Sequence, residues 1–161
     1  MVCVSWFEAV AYCRWLSKQT GIAFRLPSEA EWEKAARGAD GKIYPWGNTW
    51  ETGRCNSEEA SIKCTTPVGQ YPSGASPYGA LDMAGNVREW CATKFGKGYP
   101  YDTREDEWDE AYLEADATYR VVRSSSWSAN STYVRGAYRD LGPRGGDFSV
   151  GLRVASHSLV P

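Results

Sequence analysis

After Gly38 the texture of the chain changes, and that change limits what it can fold into more than any other feature. Gly, Pro, Asn, Ser and Trp dominate, and apolar runs become short. YPWGN (Tyr44 to Asn48) and PVGQYPSGASPYGALDMAGN (Pro67 to Asn86) read as turn-rich connections between brief strands. Long irregular stretches in a compact domain need pins, and the composition supplies them: eight Trp and ten Tyr against four Phe and two Met. Trp and Tyr join a large apolar body to a polar tip. They suit loops held by side chains, or a face that binds something.

The first 38 residues follow a different grammar. Ser5 and Glu8 form a capping box, with Ala9, Tyr12, Cys13 and Leu16 recurring at helical spacing and Gly21 as the stop. The second helix follows Pro27. Ser28 caps it, Glu31 closes the box, Trp32, Ala35 and Ala36 face inward, and Gly38 ends it. Later, Tyr119 to Trp127 and Val150 to Ser156 read as strands. The acidic stretch Asp102 to Asp116 reads as a solvated surface segment.

A length of 161 residues fits one domain, and a net charge of −2 with no basic run argues against nucleic-acid binding. No apolar stretch is long enough to cross a bilayer. No signal peptide is visible, and the chain opens abruptly, so it reads as a fragment or an unusually short protein. Compartment cannot be read from such a start. Five cysteines (Cys3, Cys13, Cys55, Cys64, Cys91) match no zinc spacing. Cys55 and Cys64 bracket a short polar loop, as a local disulfide or as two free thiols. The only histidine is His157. This excludes a His-based metal site and a Ser/His/Asp triad.

Four motifs, in order and at matching spacing, resemble the formylglycine-generating-enzyme (sulfatase-modifying factor) family. VSWFEAVAYCRWLSKQTG with RLPSEAEWEKAARG looks like its paired-helix segment, and YPWGN follows at the expected distance. GALDMAGNVREW is similar to the family's GLYDMAGNVWEW. RVVRSSSW, VRGAYR and VGLRVA resemble its RVLRGGSW, RSAYR and IGFR elements. The likeness runs from about Val4 to Ala155. It implies an α+β, C-type-lectin-like fold: two helices, a small twisted antiparallel sheet and long ordered loops. It also implies one domain over residues 1–161 that lacks the family's usual N-terminal part. Ser124 and Ser125 stand where glycines usually sit.

Active members of that family bind copper through two cysteines just beyond the GGSW element, because thiolates are the soft ligands that hold Cu(I). Counted from Trp127, those positions are Ala129 and Val134, with Tyr133 still matching the pattern. Copper is therefore not expected, and no catalytic residue is assigned. The related iron-dependent sulfoxide synthases take their histidines from another domain. The resemblance does carry over a calcium site, on the side chains of Asn86 and Glu89 and the main-chain oxygens of Gly85 and Val87, hard ligands of the kind Ca²⁺ prefers.

One branch of the family is not enzymatic. The variable proteins of diversity-generating retroelements, which are bacterial or phage proteins, display substituted residues near the C-terminus. Randomised adenines in AAC codons restrict those positions to types that exclude Lys, Gln, Glu, Met and Trp. Ser128 to Val150 contains none of the five. Its mix of Tyr, Ser, Gly, Asn and Asp suits a binding face, although any Gly/Ser-rich loop is poor in Lys and Glu. The expected ligand-binding residues are Trp127, Ser128, Asn130, Thr132, Tyr133, Tyr138, Asp140, Asp147 and Phe148. The partner would be a protein or a carbohydrate, met at a cell surface or on a phage particle. Two alternatives remain open: an oxidase acting on a protein cysteine, and an accessory domain of a larger protein.

Overall fold

The computed structural model describes residues 1–96, 119–142 and 147–156. The acidic stretch and His157 lie outside them. Helix α1 (Trp6–Thr20) starts at the expected capping box, with Ser5 accepting from the Glu8 N–H and the Glu8 carboxylate returning to the Ser5 N–H. Gly21 ends it in the left-handed conformation, φ 72°. Helix α2 (Glu29–Arg37) repeats the device with Ser28 and Glu31 and stops at Gly38, φ 71°. Trp6, Ala9 and Cys13 form the buried stripe of α1. Tyr12, which recurs at the same helical spacing, lies at the exposed edge of the helix.

The strands among the described residues are β1 (Phe24–Arg25), β2 (Arg88–Lys94), β3 (Arg120–Arg123), β4 (Arg139–Leu141), β5 (Val150–Leu152) and β6 (Ala155–Ser156). Four of them make one sheet in the order β4-β3-β2-β5, and β1 pairs with β6 in a second. The β2–β3 and β3–β4 ladders are antiparallel, as expected, but β5 runs parallel to β2, with Arg88 opposite Val150. The expected strand over Tyr119 to Trp127 ends at Arg123, because Ser124 takes φ 66° and leaves the ladder. The strand expected over Val150 to Ser156 divides into β5 and β6, which serve different sheets.

Strand alternation gives the central sheet two buried faces. Trp90, Ala92, Val122 and Val150 pack with Trp6, Ala9 and Cys13 of α1. Cys91 and Val121 point the other way and pack with Trp32 and Ala36 of α2 and with Met83. Indole N–H groups tie distant backbone into this core: Trp6 donates to the Cys91 carbonyl and Trp90 to the Val4 carbonyl, both at 2.9 Å. A smaller cluster of Tyr44, Cys55, Ala84 and Val134, with Trp46, Trp50 and Ala129 against it, anchors the loops. No helix among the described residues is long and apolar enough to cross a membrane.

Behind the sheet end lies a buried ion network. Glu29 and Arg123 are wholly buried and meet at 2.9 Å. Arg139 clasps Glu29 with two bonds of 2.7 and 2.8 Å. Arg123 also donates to Glu33 and to the Gly136 carbonyl. The network fixes the segment carrying Tyr138 and Asp140 to α2.

Candidate functional site

Residues far apart in sequence meet at one end of the four-stranded sheet. Arg88 opens β2, Ser149 immediately precedes β5, β3 runs into Ser125 and Ser126, and Tyr138 and Asp140 flank the start of β4. Together they enclose a cleft of about 390 Å³. Seven of the nine expected ligand-binding residues line it: Ser128, Asn130, Tyr133, Tyr138, Asp140, Asp147 and Phe148. Trp127 lines a neighbouring hollow of about 340 Å³ with Lys63, and Glu58 and Ser128 border both. The Trp127 and Phe148 rings lie 6.1 Å apart. Thr132 lines neither hollow; its N–H donates to the Asn130 side chain and its carbonyl accepts from Arg135, so it holds the turn.

Two charged cleft residues, Arg88 and Glu58, lie outside the expected set, as do Ser125, Ser126, Ala129 and Ser149. For Arg88 a signal was present, since Arg88 stands where the family segment GNVWEW has its first Trp. Its guanidinium donates to the Ser149 hydroxyl at 2.7 Å and stands 3.5 Å from Asp140 and 3.4 Å from Asp147. Hydrogen bonds from Ser149, helped by Arg88, hold the Asp147 carboxyl below its ordinary range. Tyr138 places its hydroxyl 3.5 Å from Asp140, and its phenol is pushed up by burial first and by the Asp140 charge second. The Tyr133 and Tyr138 rings meet edge to face at 5.4 Å.

The two positions where the resemblance would put copper ligands belong to the apolar cluster. Val134 is wholly buried there and Ala129 packs against the same group. Cys55 is the only sulfur in that cluster, and burial pushes its thiol up to about 12. A protonated, solitary thiol is no Cu(I) site. Cys55 and Cys64 stand as separate thiols, the first buried and the second exposed.

The calcium set does not fit a divalent cation in this arrangement. Asn86 is left-handed at φ 62°, and its side-chain oxygen accepts from the Thr66 N–H at 3.0 Å and the Asn56 amide at 3.3 Å. Glu89 is taken by Arg153 on both oxygens, at 2.9 and 3.0 Å, and by the Trp32 indole at 2.6 Å. A guanidinium already supplies the positive charge that Ca²⁺ would bring. The Glu89 charge in turn raises the pKa of Arg153. Among the described residues no group of three or more His, Cys, Asp or Glu side chains is placed to hold a metal ion.

Comparison with known proteins adds what the geometry alone does not. Serine/threonine-protein kinase pkn1 of Chlamydia pneumoniae is 39% identical over 140 residues, which is 86% of this chain and 21% of the kinase. Inactive C-alpha-formylglycine-generating enzyme 2 of Bos taurus is 36% identical over 138 residues, covering 79% of this chain and 38% of that protein. The chain thus spans well under half the length of these relatives. Treponema denticola variable protein 1 shares the fold, with a TM-score of 0.79 at 23% identity over 98% of this chain and 71% of that one. The profile of the sulfatase-modifying factor enzyme 1-like domain matches residues 1–158, and the chain belongs to that family, FGE-sulfatase.

Proposed function

We propose that this domain is a non-catalytic recognition module whose ligand seats in the cleft at the sheet end. One observation carries the reading: seven residues chosen from sequence as a binding face surround a single hollow. The neighbouring positions of the family's copper ligands support it, because they are filled by Ala129 and Val134 in an apolar cluster. A rigid sheet end with exposed Tyr133 and Phe148 above serines and an asparagine is the composition of a paratope. The bovine relative is named as inactive, which agrees with this reading.

The narrower version is a variable protein of a diversity-generating retroelement. The likeness in fold to Treponema denticola variable protein 1 supports it, as does the absence of Lys, Gln, Glu, Met and Trp from Ser128 to Val150. Sequencing the flanking DNA tests it: a reverse transcriptase and a repeat differing only at adenines are expected, and their absence removes this version. A second reading, as an accessory domain of a larger protein, is favoured by the match to 21% of a kinase chain. The two are compatible, since an accessory domain can be the part that recognises.

The test is selection of a random-peptide display library and a glycan array against the domain and its Tyr138→Ala/Phe148→Ala variant. Ligands that bind the first and lose the second are expected. Library and array both failing to yield such a ligand would overturn the reading.

A further inference from the structure

We infer that the cleft takes a cationic side chain, the guanidinium of an arginine or the ammonium of a lysine on a protein partner. This rests on the cleft being a recognition site and specifies what it recognises. Among the described lining residues, Glu58, Asp140 and Asp147 set three carboxylates against one guanidinium, Arg88. That guanidinium does not satisfy them. Its distances of 3.5 and 3.4 Å to Asp140 and Asp147 exceed the roughly 2.7–2.9 Å of a well-formed charge-assisted bond, and its short contact goes to the neutral Ser149 hydroxyl. Every hydrogen bond to Asp147 falls on Oδ1, and among the described residues Oδ2 receives none. The Asp140 and Asp147 side chains stay 41% and 30% exposed, within reach of a ligand.

The walls fit the same guest. Tyr133 and Phe148 are exposed rings on the cleft, and a cation gains by lying against an aromatic face. An anionic ligand would meet a net negative charge on the described lining residues. A neutral sugar would use the rings and hydroxyls but leave the carboxylate charge unmatched. Arg88 then acts as a resident cation that the incoming one partly displaces from Asp140 and Asp147. Its Ser149 bond gives it a place to stay.

The experiment is an amide chemical-shift titration of the intact, isotope-labelled domain with peptides Ac-Gly-Gly-Xaa-Gly-Gly-amide, where Xaa is Arg, Lys, Gln or Glu. The Arg and Lys peptides are expected to shift the amides of Tyr138 to Leu141 and Phe148 to Val150, and the Gln and Glu peptides are not. Asp140→Asn with Asp147→Asn should weaken the Arg peptide at least about tenfold. Arg88→Gln, which removes the competing cation, should tighten it roughly threefold to fivefold. A merely structural role for these residues would weaken binding in both variants. Equal shifts from the Gln peptide, or weaker binding by Arg88→Gln, overturn the charge assignment and leave the cleft as a recognition site. No cleft shift from any peptide up to about 10 mM also overturns it, while the library and array selection judges the recognition reading separately.

Discussion

Replacing Glu29 with Gln should cost this domain more stability than any surface change, because the carboxylate serves two arginines from a fully buried position. Arg123 reaches it at 2.9 Å with its own side chain wholly buried, and Arg139 adds bonds of 2.7 and 2.8 Å. The amide would keep the shape and lose the charge. Arg123 would retain Glu33 and the Gly136 carbonyl, but its buried Nε already lacks a hydrogen-bond partner among the described residues. Removing one member of a buried ion pair costs about 3–5 kcal/mol. In a domain of this size each kcal/mol moves Tm by roughly 2–4 °C, so a fall of about 6–20 °C is expected. Circular-dichroism melts of wild type and variant read it directly. Exchanging both partners, Glu29→Leu with Arg123→Met, should recover part of the loss, since the wholly buried guanidinium leaves with its carboxylate and the Arg139 that stays behind is 29% exposed to solvent. A Tm change under about 3 °C for Glu29→Gln, or strict additivity of Glu29→Leu and Arg123→Met in the double variant, would show that the buried pair does not carry this stability.

Other expectations follow from the same geometry. Melting in Ca²⁺ and in EGTA should give the same Tm, because Arg153 already neutralises Glu89; a clear rise with Ca²⁺ would show the ion displacing it. Thiol labelling at pH 8 should modify the exposed Cys3 and Cys64 quickly and Cys13, Cys55 and Cys91 only on unfolding, with burial holding Cys13 near 11 and Cys55 near 12. Asp147 has a lowered pKa in the folded state, so its stabilisation is complete above the ordinary carboxylate value of about 4 and fades as pH falls through the depressed one. The stability gap between wild type and Asp147→Asn should therefore close in acid, as urea melts across pH 2–7 would show. Ser124→Gly should relieve the left-handed φ of 66° and raise stability by up to about 1 kcal/mol in a urea melt, and a loss would mean that the buried hydroxyl contributes more than the strain costs.

The sequence was most legible where the code is local. Both helices and their ends were readable because a capping box and a terminal glycine each act within one turn. Strand lengths were overestimated where a distant event cuts a local pattern. Ser124 turns out of the β3 ladder, and past Leu152 the chain leaves β5 at Arg153, whose guanidinium goes to Glu89 and the Leu81 carbonyl. The same long-range contact, 64 residues apart in sequence, explains why spacing alone could not judge the calcium set. The binding face was readable because most of its residues lie in one segment, from Ser128 to Phe148. Arg88 was legible only as a departure from the family segment, because its partners Asp140 and Asp147 lie 52 and 59 residues away, the first brought in by the β2–β3–β4 ladders and the second by the turn ahead of β5.

As proposed, the segment after Trp127 serves recognition and holds no copper centre. Titration of the fully reduced domain with Cu(I) against a competing chelator, with oxygen consumption followed in the presence of a cysteine peptide, tests it most directly. The apolar packing of Ala129 and Val134 and the protonated, buried Cys55 predict no stoichiometric copper and no oxygen uptake. One Cu(I) bound per chain, with turnover of the peptide, would contradict the account.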